Sequence, residues 1–232
     1  MKMSMMKKIA VCVSAGAMLT AFSATMASAA NDDYAKVGNY AAYTQSLTKA
    51  DKAAIAAKEA ASKQLAAAAT DSGKAATLKK LSITMYQQET DYYCVPACVK
   101  STLMFIAKKS PSQATIHNYT QLDFTKIPAY VNARQKKNKY VLVNKPTLAT
   151  LKNDIYSNIV NTKVPVFLRI SGTTSANWYY STSGHCILAT GIYSDKSKIQ
   201  IGDPLGKRVA GCPYFYVKSA SVVKGFTTHM CW

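Results

Sequence analysis

Apolar residues fall into three regimes along the chain. The first is a nearly unbroken apolar run, Ile9 to Ala24, behind the basic stretch Met1 to Lys8 and ahead of Ala27-Ser28-Ala29. A basic start, an apolar middle and an A-x-A end predict a secretory signal peptide over residues 1–29, with the mature chain beginning at Ala30. Cys12 follows Val11, where a lipoprotein signal would want a small residue, so no lipid anchor is expected. The second regime, residues 30–80, is rich in alanine and lysine, as in Ala53-Ala54-Ile55-Ala56-Ala57-Lys58, with Asp71-Ser72-Gly73 as a stop. Its composition favours helix but offers almost nothing large to bury, which predicts an exposed helical stalk or a pro-segment. The third regime, residues 81–232, has the mixed periodicity and the length of a single globular domain.

Within that domain the pattern predicts helices first and strands later. Leu81 to Tyr86 reads as a short lead-in strand. Val99, Leu103 and Ile106 share one face of a helix that begins near Cys94, with Pro96 in its first turn and Lys108 and Lys109 at its end. Further helical spacing covers 112–119, 127–134 and 147–160. Strand-like runs follow at Tyr140-Val141-Leu142-Val143, Val164 to Ile170, His185 to Tyr193, Lys198 to Gly202 and Tyr214 to Val217. This order predicts an α+β fold with a helix packed on an antiparallel β-sheet.

Candidate chemistry enters at the start of the first helix. A cysteine at a helix N-terminus feels the positive end of the helix dipole, which favours the thiolate, and the thiolate is the nucleophile. Cys94 holds that position. Gln88, six residues earlier, could join the Cys94 N–H as an oxyanion hole for a tetrahedral intermediate. Of the three histidines, His185 opens the apolar strand 185–193, whereas His117 and His229 have no comparable setting and read as ordinary structural residues. The polar turn Ser194-Asp195-Lys196-Ser197 makes a hairpin of the next strand, which ends in Asp203-Pro204. A hairpin sets the start of its first strand beside the end of its second, so Asp203 should lie next to His185 and orient it. Each residue also has a plainer reading: a packed or disulfide-bonded thiol, a hydrogen-bonded core histidine, a turn-opening aspartate and a surface amide. Their joint order favours a Cys94, His185 and Asp203 triad.

Gln88, Cys94-Val95-Pro96-Ala97, Gly184-His185 and Asp203-Pro204 together resemble the secreted relatives of the bacteriocin-processing cysteine peptidases, over residues 81–232. The resemblance implies a papain-like fold and hydrolysis of a peptide or amide bond, with Gln88, Cys94, His185 and Asp203 as the site and no cofactor or metal. It departs at Val95, where the family has glycine, so a preference for double-glycine leaders is not carried over. Two other functions share these residues. One is acyl transfer with the same triad, and the other is a catalytically silent cell-wall-binding or adhesion module.

Charge and cysteine content bear on setting. Loss of Lys2, Lys7 and Lys8 with the signal lowers the formal charge from +18 to +15. Such a field suits an anionic cell-wall polymer. Arg134-Gln135-Lys136-Lys137-Asn138-Lys139 is too short and too isolated to mark a nucleic-acid site. No later segment approaches the ~20 apolar residues of a membrane span, so the expected location is extracellular, with wall association by charge. Oligomeric state is left open. Five cysteines follow the signal, and an odd count in an oxidising compartment leaves Cys94 free. The other four are expected to pair as Cys98 with Cys186 and Cys212 with Cys231, although plain buried thiols fit as well.

Overall fold

The computed structural model describes residues 35–68 and 75–232, so the expected signal peptide and the Asp71-Ser72-Gly73 stop lie outside the described residues. The architecture is α+β. Among the described residues a seven-stranded sheet runs β2-β7-β3-β4-β5-β6, with β1 paired to β4, and every pairing is antiparallel. The strands are β1 (Leu78–Lys80), β2 (Leu142–Asn144), β3 (Val166–Ile170), β4 (His185–Tyr193), β5 (Lys198–Gly202), β6 (Phe215–Ser219) and β7 (Thr227–Cys231). Strand β3 is buried along its whole length, as its unbroken apolar sequence requires of a central strand.

Helix α3 (Cys94–Ala107) packs on β4 and buries Val95, Cys98, Val99 and Leu103. It begins at Cys94 as expected and ends at Lys108, whose positive φ of 58° closes the last turn. Helices α4 (Gln113–Thr120) and α5 (Ile127–Asn132) pack against it. Ser112 caps the first of these by accepting from the Thr115 N–H. Helix α6 (Leu148–Tyr156), capped by Thr147, continues as a π-helical turn over Ser157–Thr162 and packs on β4 and on α7 (Ala220–Phe226).

Three expectations change. Residues 81–86 are extended but lie outside the regular strands, and the lead-in strand sits just before them at β1. Leu81 still donates to the Thr190 carbonyl at 2.9 Å, and Leu81, Ile83 and Met85 are buried. The C-terminal strand β7 was not read from the sequence, yet it fills the position between β2 and β3. Finally, the alanine- and lysine-rich segment is helical, as α1 (Tyr40–Ser46) and α2 (Lys49–Ala68), but α2 lies along α6 instead of standing free. Ser62, buried, donates to Asp154 Oδ1 at 2.6 Å, and the Lys58 ammonium sits 4.4 Å from the centre of the Trp232 ring. A few polar and aliphatic contacts thus replace the large apolar face that the helix lacks.

Candidate active site

The hairpin β4–β5 pairs Leu188 with Gly202, which carries the residue after β5 towards the beginning of β4. His185 and Asp203 consequently meet: His185 Nε2 lies 3.0 Å from Asp203 Oδ1. Cys94 hydrogen-bonds the same imidazole. Cys94 is the first residue of α3, so the candidate nucleophile comes from a helix N-terminus and the candidate base from a strand start. The structure therefore brings three of the four sequence-predicted residues together, with His185 between Cys94 and Asp203.

Asp203 is fully buried, and a buried carboxylate is costly unless its oxygens are hydrogen-bonded. Besides His185, Oδ1 accepts from the Leu205 N–H at 2.9 Å. Oδ2 accepts from the Tyr180 hydroxyl at 2.5 Å and the Tyr216 hydroxyl at 2.7 Å. These four donors match the roughly four acceptor sites of a carboxylate. Burial alone would raise Asp203, but the His185 charge and these hydrogen bonds hold its carboxyl below the usual range. For His185, burial favours the neutral ring; the Asp203 charge and hydrogen bond, with help from Cys94, overcome it and lift the imidazole to about 9.

Tyr180 and Tyr216 were not anticipated. The aromatic run Asn177-Trp178-Tyr179-Tyr180 reads from sequence as a wall of a substrate cleft, but Trp178 and Tyr180 are buried. Trp178 packs edge-on against Tyr216 and Phe226. Nothing in the sequence marks which tyrosine hydroxyl will reach an aspartate 23 residues away.

Gln88 lies in the loop before α3 and is buried. Its Nε2 donates to the carbonyls of Thr90 at 2.9 Å and Asp91 at 2.8 Å, while Oε1 has no hydrogen-bond partner among the described residues. The amide thus braces its own loop in this conformation. Strand β5's outgoing loop holds Gln88 from the other side: the Gln88 N–H donates to Pro204 O at 3.1 Å, and Arg208 Nη1 donates to the Gln88 carbonyl at 3.1 Å. Arg208 also pairs with Asp91. Tyr93 stacks on His117 at 4.8 Å between ring centres, which gives that histidine a packing role beside the nucleophile. His229 lies away from the triad, near Tyr40 and Phe124.

All five described cysteines are thiols. Cys98 and Cys186 are in hydrogen-bonding contact, and Cys98 Sγ also lies 3.3 Å from the Cys186 carbonyl oxygen. The expected pairing of Cys212 with Cys231 is not formed: both are thiols, the first on the loop between β5 and β6 and the second at the end of β7. Among the described residues no group of three or more histidine, cysteine, aspartate or glutamate side chains is arranged to hold a metal, and no helix is long and apolar enough to cross a membrane. A family model described as the Peptidase_C39 like family matches residues 80–220. No curated relative matches the chain.

Proposed function

Because the chain belongs to the peptidase C39-like family, a family that points to cysteine peptidase activity, we propose that it is a secreted thiol hydrolase acting on a peptide or amide bond. Cys94 attacks the carbonyl carbon, His185 carries the thiol proton to the leaving amine, and Asp203 holds His185 in place. Water, deprotonated by His185, then attacks the acyl-enzyme and frees the acid. The observation that carries this reading is the single line of contacts from Cys94 through His185 to Asp203. The Cys94 N–H at the start of α3 is one oxyanion donor, and Gln88 becomes the second once its amide turns away from Thr90 and Asp91. The signal-like N-terminus supports a location outside the cytoplasm, and the +15 charge supports contact with an anionic wall polymer.

One observation favours a silent binding module: Gln88 spends both amide hydrogens on its own loop, and Cys94 is fully buried. Brief iodoacetamide treatment near pH 5, followed by intact mass measurement of wild type beside His185→Ala, separates the two. An ordinary thiol, with a pKa of about 8.5, hardly reacts there. The peptidase reading expects a single adduct on Cys94 that disappears in the variant. Equal labelling of both proteins, at the slow rate of an ordinary thiol even when Cys94 is made accessible, would favour the binding module. Acyl transfer shares the triad and would show as an amine-dependent product.

A further inference from the structure

Four residues of the N-terminal segment run along the site. Ala35 is fully buried, and its N–H donates at 3.2 Å to the carbonyl of Gly184, the residue immediately before the base. Its own carbonyl accepts from Arg169 Nε on β3. Lys36 forms a parallel bridge with Asp123, and the Lys36 carbonyl accepts from the Phe124 N–H at 3.0 Å. The Gly38 N–H closes the run on Asp123 Oδ1 at 3.0 Å. Gly184 leads into the strand of the base. Asp123 follows α4, whose His117 stacks on Tyr93, the neighbour of the nucleophile. Residues 35–38 therefore span from the residue before His185 to the loop after α4, the helix that packs on α3.

Main-chain hydrogen bonds to the edge of a site are how an extended peptide is bound, with small pockets reading alternate side chains. Ala35 meets those terms at one end, while Val37, the next side chain on the same face, is 40 % exposed. Ala35 has no exposed surface, and a Cβ on Gly38 would stand 2.0 Å from Asp123 Oδ2. The triad beside it is closed: Cys94 and Asp203 are wholly buried and His185 is 2 % exposed. The described cavities lie elsewhere along α3, one of about 440 Å³ lined by Leu103, Lys109, Ser110, Pro111, Ala133 and Arg134.

We propose that residues 35–38 fill the channel in which an extended peptide substrate lies beside His185, so that the chain carries its own occupant of the site. The channel then takes peptides with a small side chain opposite Gly184, and turnover on any other substrate requires the segment to leave. Calling the channel a substrate channel rests on the peptidase reading; the occlusion itself does not.

The test uses the full chain. Ala35→Arg puts a long charged side chain where there is no room, and Gly38→Leu puts a branched one against Asp123. Each variant is checked by circular dichroism and thermal melting, and the rate of iodoacetamide labelling at Cys94 is measured by peptide mapping at pH 5 and pH 8. Release of the segment predicts at least about tenfold faster labelling at both pH values, the change expected when one or two net hydrogen bonds are lost. A synthetic acetyl-Ala-Lys-Val-Gly-amide, added at millimolar concentration, should slow labelling of the variants again. Unchanged labelling in folded variants would overturn the proposal. Should neither variant fold, hydrogen exchange on wild type decides: free exchange of the Lys36 to Gly38 amides while Cys94 stays protected overturns it, and joint protection supports it. Adding His185→Ala to Gly38→Leu keeps the two claims apart. If labelling is fast but indifferent to His185 at pH 5, the catalytic reading fails and the occluding segment stands.

Discussion

Asp203 is where the site's chemistry and the fold's stability meet. Its four donors stabilise a charge that burial opposes, and charge-assisted hydrogen bonds of this kind are worth about 1.5–3 kcal/mol each. Tyr180→Phe and Tyr216→Phe should each lower unfolding free energy by roughly that amount, read as a lower urea midpoint at unchanged slope. Both should also weaken the hold on His185, so Cys94 labelling at pH 5 falls in step with the loss. The His185 titration gives a second prediction at this scale. Its folded value, about 9, lies above the ordinary 6.5. The stability it contributes is therefore complete below pH 6.5 and is lost as pH rises through 9. Lys58 acts in the opposite direction: burial lowers it to about 7, despite Cys231 and Asp154, so its folded form gains stability between pH 7 and its unfolded value of 10.5. The two trends oppose one another in wild type. The difference in unfolding free energy between wild type and His185→Ala should nonetheless shrink steadily from pH 6.5 to 9.5, and a flat difference would rule out a charged His185 in the folded state.

At the scale of elements, the residues that repeat were legible and those that meet across the fold were not. Cys94 announced itself because a helix must start somewhere and Pro96 fits only its first turn. His185 and Asp203 were found together because a short polar turn forces a hairpin, whose strand ends are neighbours whatever surrounds them. Strand β7 gave no such signal. Thr227-Thr228-His229-Met230-Cys231 lacks alternation because residues on both of its faces are buried, between β2 and β3. Its place in the sheet is set by partners far away in sequence, and the partners of Asp203 escaped for the same reason. Helix α2 was legible as a helix but not as a docked one, since its contacts are isolated side chains. Ser62 carries one of them. Ser62→Ala removes a donor from a carboxyl that burial already raises to about 6, against the lowering effects of Ser62 and Lys58. Loss of such a hydrogen bond costs roughly 1–3 kcal/mol. If α2 docks as described, that loss should appear with faster hydrogen exchange in both α2 and α6. Exchange faster in α2 alone would mean that the helix contributes little to the domain beneath it.

Over the whole molecule, sheet order decides what the cysteines can do. Parity in an oxidising compartment argues for two bridges and one free thiol, but parity takes no account of distance. Cys231, at the end of β7, is separated by β3 and β4 from β5, whose following loop carries Cys212, and neighbouring strands stand about 4.8 Å apart. Disulfide Cα atoms must approach within about 7 Å, so no local adjustment joins these two. Cys98 and Cys186 differ: they touch, and a bridge between them would tie α3 to β4 just behind the nucleophile and the base. Burial raises the Cys98 thiol well above its usual range, which suppresses exchange once the domain is folded. Any such bond must then form while the chain is still open. A chain beginning at Ala30, folded in a glutathione redox buffer, unfolded in guanidinium and alkylated without reductant, should carry adducts on Cys94, Cys212 and Cys231 in every molecule. Adducts on Cys98 and Cys186 should appear together or not at all. A disulfide-linked peptide joining Cys212 to Cys231 would require a sheet order other than β2-β7-β3-β4-β5-β6, because only a rearranged β7 could bring those two sulfurs together.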